Sequence, residues 1–130
     1  MSKQQPEYNL QTQIVQYLEL QYKDVLFLSD TIAFLKLTIP QQLRNKKIQK
    51  TNFKCPDILI LEPKGKYSGL FIELKAKDIY KKNSTELLKN EHVEDQAKCL
   101  KRLKEKGYYA CFGIGFEQTK KIIDNYMKDL

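Results

Sequence analysis

Two carboxylates and one ammonium group stand close together within apolar stretches of the chain. Asp57 precedes the run Ile-Leu-Ile-Leu, and Glu73 and Lys75 lie in the run Leu-Phe-Ile-Glu-Leu-Lys. Carboxylate oxygens are the ligands that hard cations such as Mg²⁺ prefer, and a neighbouring ammonium group stabilises negative charge that develops in a reaction. Because charged groups cost several kcal/mol to bury without partners, their position between apolar residues indicates a functional site.

A β-hairpin is the element that must bring these three groups together. The two apolar runs are bounded by Pro and Gly, and the polar residues 63–66 between them are typical of a turn. A turn centred on Gly65 makes the position numbers of paired residues add up to about 130, which places Asp57 opposite Glu73. Side chains alternate along a strand, so Lys75 lies on the same face as Glu73.

An exposed Glu-Lys arrangement at the edge of a sheet would also explain Glu73 and Lys75. The Ile and Leu residues on both sides of these charges argue against an edge. On the opposite face of the same strand, Leu70, Ile72 and Leu74 form an apolar surface. We therefore predict that the strand is buried.

The pair Pro-Asp at 56–57, followed after fifteen residues by Glu-Leu-Lys at 73–75, resembles the signature of the PD-(D/E)XK nuclease superfamily. The two apolar runs and Gln96 on a later helix resemble more narrowly its VRR-NUC branch, found in phages and in repair nucleases. The resemblance covers residues 7–127. It departs from the branch just before the Pro-Asp pair, where the chain has Lys-Cys and the branch often has glycine.

The resemblance implies hydrolysis of DNA phosphodiester bonds with Mg²⁺ or Mn²⁺. Such an endonuclease would act on junctions, flaps or nicks during repair, recombination or phage replication. Stand-alone members of this size often resolve junctions as dimers, so a homodimer follows from the resemblance only. The alternatives are a non-catalytic DNA- or RNA-binding module with the same fold, and a basic structural protein in which the charged constellation is a coincidence.

The resemblance also assigns roles to individual residues. Asp57, Glu73 and the main-chain carbonyl of Leu74 would hold the cation, which would polarise the phosphate and activate water. Lys75 would orient or deprotonate the attacking water. Gln96 would position water or phosphate.

Two helical segments carry further candidates. Residues 7–22 have apolar residues at helical spacing, with Glu7 on the apolar stripe. In the resembled family an acidic residue here often helps to hold metal, whereas a first-turn glutamate also complements the helix dipole, and both interpretations stay open. Residues 91–106 form a second predicted helix, with Gln96 bordering its buried side. A backbone carbonyl or the active site would satisfy that amide.

The remaining periodicity predicts strands at 25–28 and 108–114, helices at 40–50 and 118–128, a polar connection at 76–90, and an ambiguous segment at 32–37. This order indicates an α/β fold with a mixed central β-sheet flanked by helices. It matches the restriction-endonuclease-like core that the resemblance implies. The length of 130 residues favours a single domain over residues 1–130.

The chain is basic, with 23 Lys and Arg against 16 Asp and Glu and a net charge of +7. This bias favours polyanionic partners such as DNA. Candidate phosphate contacts are Arg44, Lys46, Lys47, Lys50 and Lys54 before the hairpin and Lys77, Lys81 and Lys82 after it. A merely solvated basic face is the alternative for the first group.

Neither an apolar stretch of about 18 residues nor a signal-peptide pattern is present, which predicts a protein without a membrane span. We expect it to stay in the cytoplasm of a bacterial or phage-infected cell. Cys55, Cys99 and Cys111 are odd in number and widely spaced, so we interpret them as reduced packing residues. His92 is the single histidine, which excludes a multi-histidine metal site, and we interpret it as a surface residue.

Overall fold

Helices and strands alternate along residues 5–128, the part of the chain that the computed structural model describes. In chain order they are α1 (Gln5–Gln21), β1 (Phe27–Ser29), α2 (Ile39–Lys47), β2 (Ile58–Ile60), β3 (Leu70–Lys75), α3 (Glu91–Glu105), β4 (Tyr109–Ile114) and α4 (Gly115–Met127). The predicted elements are confirmed, with shifts of a few residues at their ends. Within residues 5–128, no helix combines the length and the apolar character that crossing a membrane requires.

The four strands form one mixed sheet in the order β1-β2-β3-β4. β2 pairs antiparallel with both β1 and β3, and β4 pairs parallel with β3. α3 supplies the crossover that a parallel pair requires. β3 therefore lies in the interior of the sheet, which confirms that Glu73 and Lys75 do not lie on an edge strand.

The hairpin has the predicted register. Lys64 and Tyr67 exchange two backbone hydrogen bonds of 3.0 and 2.9 Å around a two-residue turn. Gly65 opens this turn with a φ of 55°, a left-handed conformation that favours glycine. Ile58 then pairs with Ile72, and continuing this register by one residue places Asp57 opposite Glu73.

The two faces of β3 enter different layers of the core. Leu70, Ile72 and Leu74 are at most 1% exposed and belong to the larger apolar cluster, which α1 and α4 complete. Phe71 packs instead with the buried side of α3 around Leu100. The predicted division of the strand into an apolar face and a face carrying Glu73 and Lys75 is thus confirmed.

α4 lies tightly against the sheet at Gly113 of β4. A Cβ atom added to Gly113 would lie 2.8 Å from Cγ2 of Ile72 and closer still to Oγ1 of Thr119. The Thr119 hydroxyl is itself fixed by a 2.8 Å hydrogen bond to the carbonyl oxygen of Gly115. Only glycine therefore fits at this position without displacing its neighbours.

Residues 31–56 leave the sheet after β1 and return to it before β2, and we call them the arm. Ser29 and Ile58 at its two ends are partners in the sheet. α2, the helix in the arm, begins with a capping box in which Thr38 and Gln41 satisfy each other's main-chain N–H groups. None of the residues of α2 is buried. The arm is therefore held by local hydrogen bonds at its helix, by the strands at its ends, and by α3, where Phe53 packs and where Arg102 donates a 2.8 Å hydrogen bond to the carbonyl oxygen of Asn52.

Candidate active site

The carboxyl groups of Asp57 and Glu73 meet between β2 and β3. Asp57 lies directly before β2, and its Oδ2 accepts a 2.8 Å hydrogen bond from the main-chain N–H of Leu74. Its carbonyl oxygen accepts a second bond, of 2.9 Å, from the N–H of Asp30. Glu73 is only 4% exposed and is in hydrogen-bond contact with the Asp57 carboxylate. Main-chain contacts on both sides of β2 thus hold Asp57 against Glu73.

Burial, together with the hydrogen bond and the negative charge of Asp57, raises the pKa of Glu73 to about 9. The positive charges of Lys75 and Lys54 oppose this shift. Without a cation, Glu73 therefore holds a proton at neutral pH. Two carboxyl groups in one buried space need either a proton or a positive ion between them.

Lys75 is 7% exposed and lies on the same face of β3 as Glu73. It lines a cavity of about 520 Å³ together with Glu7 from the start of α1 and Val93 from α3. Within residues 5–128, no three His, Cys, Asp or Glu side chains gather as a metal-binding group. Glu7 thus shares a cavity with Lys75 without forming a three-ligand cluster with the carboxylate pair.

Gln96 is 9% exposed and lies on the buried side of α3. On the same side of this helix, Val93 lines the cavity beside Lys75, and Leu100 belongs to the cluster around Phe71. Gln96 lies between Val93 and Leu100 along α3, just as Glu73 lies between Lys75 and Phe71 along β3. α3 therefore places the Gln96 amide near the level of the buried Glu73 carboxyl group. The predicted position of Gln96 on the core side of its helix agrees with this arrangement.

One atom of the Gln96 amide has no partner. Nε2 of Gln96 lies 3.2 Å from Nε2 of His92, which accepts a hydrogen bond when the ring carries its proton on Nδ1. Oε1 of Gln96 is buried and makes no hydrogen bond within residues 5–128. The sequence interpretation of His92 as a surface residue missed this contact, although a spacing of four residues on a helix is the signal that reveals it.

A second and larger cavity, of about 870 Å³, opens between the arm and α3, and we call it the arm cleft. Gln96 and His92 line it on one side, and Lys54 lines it on the other. Its charged lining residues are Lys46, Lys47, Lys50, Lys54, Lys98 and Arg102 as cations and Asp95 as the acid. The arm cleft therefore combines a strongly positive lining with direct access to Gln96.

The predicted phosphate contacts fall into three groups. Four of them line the arm cleft, as given above, whereas the exposed Arg44 does not. Lys77 lines the cavity that contains Lys75. Lys81 forms a 2.8 Å ion pair with Glu86, and Lys82 is exposed outside both cavities. Only Lys77 and the four arm lysines therefore line one of the two cavities beside the candidate site.

Cys55 corrects one prediction, because its side chain is exposed and is not a packing residue. Partial burial, together with the negative charge of nearby Glu73, raises the pKa of its thiol to about 11. Cys99 and Cys111 are half-buried, and all three cysteines are free. The reduced state of the thiols stays a prediction, and Cys55 lies beside the carboxylates.

Comparison with known proteins gives one informative result. No protein-family model matches the chain, and no curated protein matches it. A solved structure named "VRR_NUC domain protein" is 20% identical, with a TM-score of 0.62, and the alignment covers 95% of this chain and 89% of that chain. This likeness shows that the chain has a VRR-NUC-like fold, while its place in the wider superfamily stays a prediction.

Proposed function

We propose that this VRR-NUC-like domain is a metal-dependent nuclease that hydrolyses DNA phosphodiester bonds. The observation that carries the proposal is the contact between Asp57 and Glu73 at a buried position beside Lys75. The fold supports it, because the similar solved structure is named for a nuclease domain. A domain without chemistry to perform would gain nothing from keeping two acids in one buried space.

The donor set fits a hard divalent cation, Mg²⁺ or Mn²⁺. Asp57 and Glu73 would hold it, together with the carbonyl oxygen of Leu74. The N–H and C=O groups of a strand residue point to the same side, and the Leu74 N–H already contacts Asp57. When bound, such an ion lowers the pKa of water and neutralises charge on a phosphate. Glu7 is our candidate for a second ion, approached from the cavity beside Lys75.

Three residues around the carboxylates have further roles in the proposed reaction. The side chain of Lys75 orients the attacking water, or accepts its proton when it is a neutral amine, and as an ammonium group it offsets negative charge in the transition state. Oε1 of Gln96 accepts a hydrogen bond from that water, which satisfies its buried lone pairs. Lys54, close enough to lower the pKa of Glu73, holds a phosphate oxygen.

The experiment that tests the proposal incubates the full chain with labelled flap, junction, nicked, duplex and single-stranded DNAs. We expect cleavage of one or more substrates with Mg²⁺ or Mn²⁺ and none with EDTA. Binding without cleavage under every condition would show a non-catalytic nucleic-acid-binding module instead. Cleavage that persists in EDTA would refute the metal assignment.

The biological setting is proposed on the same basis. A nuclease of this kind would act on DNA in the cytoplasm of a bacterial or phage-infected cell, during repair, recombination or phage replication. A homodimer would present two sites to a DNA junction. Light scattering on the purified chain, with and without junction DNA, measures this directly.

A further inference from the structure

The arm cleft has two walls of like charge. Lys46 and Lys47 lie on the arm side, and Lys98 and Arg102 lie on the α3 side. Within residues 5–128, none of the cations of the cleft forms an ion pair with an acidic side chain. These cations outnumber Asp95, the acid in the lining, and Arg102 also donates a 2.8 Å hydrogen bond to the carbonyl oxygen of Asn52 in the arm, so both walls attract a polyanion.

The cleft also offers apolar surface that the fold leaves without a partner. Leu43 lines the cleft from α2 and is 57% exposed. Phe53 lines it from the end of the arm, where it packs against the cluster beneath α3. Such a combination of cations with apolar side chains matches a ligand that carries both phosphates and exposed bases.

The inner end of the cleft lies towards the carboxylate pair, although neither Asp57 nor Glu73 lines it. Gln96 lines the cleft and buries an oxygen without a partner. Lys54 also lines it and acts electrostatically on Glu73. A strand that follows the cleft inward therefore arrives at the candidate active site.

We propose that the arm cleft binds a short unpaired stretch of a DNA strand and leads it to the carboxylate pair, an inference that rests on the proposed nuclease function. The volume of about 870 Å³ lies in the range of clefts that enclose a drug-sized ligand. A space of that volume is sufficient for part of one strand. In an intact duplex the faces of the bases are stacked on one another, so no base face is free to contact Leu43. The substrate class is accordingly DNA with an unpaired segment beside the cleaved bond.

Fluorescence anisotropy in EDTA tests this inference without any cleavage. The full chain is titrated against three labelled DNAs of matched length: an oligothymidylate, a blunt hairpin duplex, and a hairpin with a single-stranded tail. We expect the oligothymidylate and the tailed hairpin to bind at least about fivefold more tightly than the blunt hairpin. Equal or tighter binding of the blunt hairpin would overturn the inference. A further titration uses an oligoribonucleotide of the same length as the oligothymidylate, and tighter binding of this RNA would also overturn it.

Leu43→Asn tests the apolar contact, with Ile39→Asn as the matched control. Both residues are exposed leucine or isoleucine side chains of α2, but Ile39 does not line the cleft. Leu43→Asn should weaken binding of the oligothymidylate about fivefold, because the loss of apolar contact with a base costs about 1 kcal/mol. Ile39→Asn should leave it unchanged. Equal effects of the two substitutions would refute a contact at Leu43.

Lys98→Gln tests the charge on the α3 wall, with Lys121→Gln as its control on α4. Both lysines are exposed, and Lys121 lies on the helix that covers the other face of the sheet. For the oligothymidylate, the slope of log affinity against log salt should become shallower by about 0.7 for Lys98→Gln and stay the same for Lys121→Gln. The same slope in both variants would overturn the proposed path.

The outcomes for the cleft and for the nuclease are separable. A preference for unpaired DNA that depends on Leu43, in a chain that cleaves nothing, would support the cleft and refute the nuclease. If the chain cleaves DNA but its affinity depends neither on Leu43 nor on whether the DNA is unpaired, the proposal for the cleft is refuted and the proposal of a nuclease is supported.

Discussion

Glu73→Gln should make the metal-free protein more stable at neutral pH. The folded chain holds Glu73 as a neutral acid with a pKa of about 9, mainly because of burial and its contact with Asp57. The unfolded chain releases that proton near the ordinary glutamate pKa, so folding at pH 7 must take it up again. Glutamine has nearly the same shape, carries no charge, and can donate an amide hydrogen to Asp57. The substitution therefore removes the cost of proton uptake.

The size of this effect follows from two pKa values, about 9 for Glu73 in the folded chain and 4.5 as the ordinary value of a glutamate in the unfolded chain. Because the folded pKa is the higher one, the stabilising contribution of the proton is complete below about pH 4.5 and is lost as the pH rises towards 9. Each pH unit in that window costs about 1.4 kcal/mol, which amounts to about 3 kcal/mol at pH 7. The hydrogen bond from the glutamine amide to Asp57 is weaker than the bond from the neutral carboxylic acid, which reduces the gain by about 1 kcal/mol. We expect a net gain of about 2 kcal/mol at pH 7 and a net loss of about 1 kcal/mol at pH 4.5, where proton uptake costs little and the weaker hydrogen bond remains.

Urea unfolding in EDTA at several pH values measures the gain. Glu105→Gln, at the exposed C-terminal end of α3, removes the same charge without a buried partner and should change stability little. Adding Mg²⁺ should stabilise the wild type and not Glu73→Gln, since the variant lacks a ligand. A variant that is less stable than wild type at pH 7, or a gain that does not change with pH, would refute this account of the carboxylate pair.

Four other substitutions test separate parts of the structure. Asp57→Ala should abolish cleavage in a gel assay while anisotropy shows equal or tighter DNA binding, because it removes a metal ligand and a repulsive charge; a near wild-type rate would rule out the metal site. Lys75→Met should lower the cleavage rate by about 10²-fold at an unchanged melting temperature, whereas a proportionate loss of both would show a structural lysine. Gly113→Ala should cost about 1–3 kcal/mol in urea unfolding through overpacking; an unchanged midpoint would show that α4 yields. Lys46→Glu combined with Lys47→Glu should weaken binding of all DNA sequences alike and make the salt slope shallower by about 0.9 per lost duplex phosphate contact; unaltered affinity and slope would make this a solvated face.

The hairpin could be derived from sequence because the interactions that define it are local. The two-residue turn at Gly65 fixes the register, and alternation along a strand then assigns each side chain to a face. The position numbers in the sequence were therefore sufficient to predict that Asp57 lies opposite Glu73. Helical periodicity was similarly sufficient to place Gln96 on the buried side of α3.

Features that depend on distant parts of the chain could not be derived in this way. Ile39 and Leu43 have the spacing of a core-facing helix, yet the structure leaves α2 without a buried residue. No pattern in α2 reveals that the sheet lies too far away to cover it. The hydrogen bond from the Leu74 N–H to Asp57 is equally hidden, since it depends on which way the main chain of β3 points.

The arm can change in sequence during evolution with little effect on the stability of the fold. It departs and returns at Ser29 and Ile58, which are already partners in the sheet, and its helix contributes nothing to the core. Replacing residues 31–50 with a short linker should then leave a foldable domain, because Phe53 and the buried Pro56 are kept and closing a loop of different length changes the free energy only slightly. Substitutions in α2 are correspondingly free of the packing constraints that restrict β3. If the chain is the proposed nuclease, selection can thus exchange one DNA preference for another by rewriting this segment, while the carboxylate pair stays as it is.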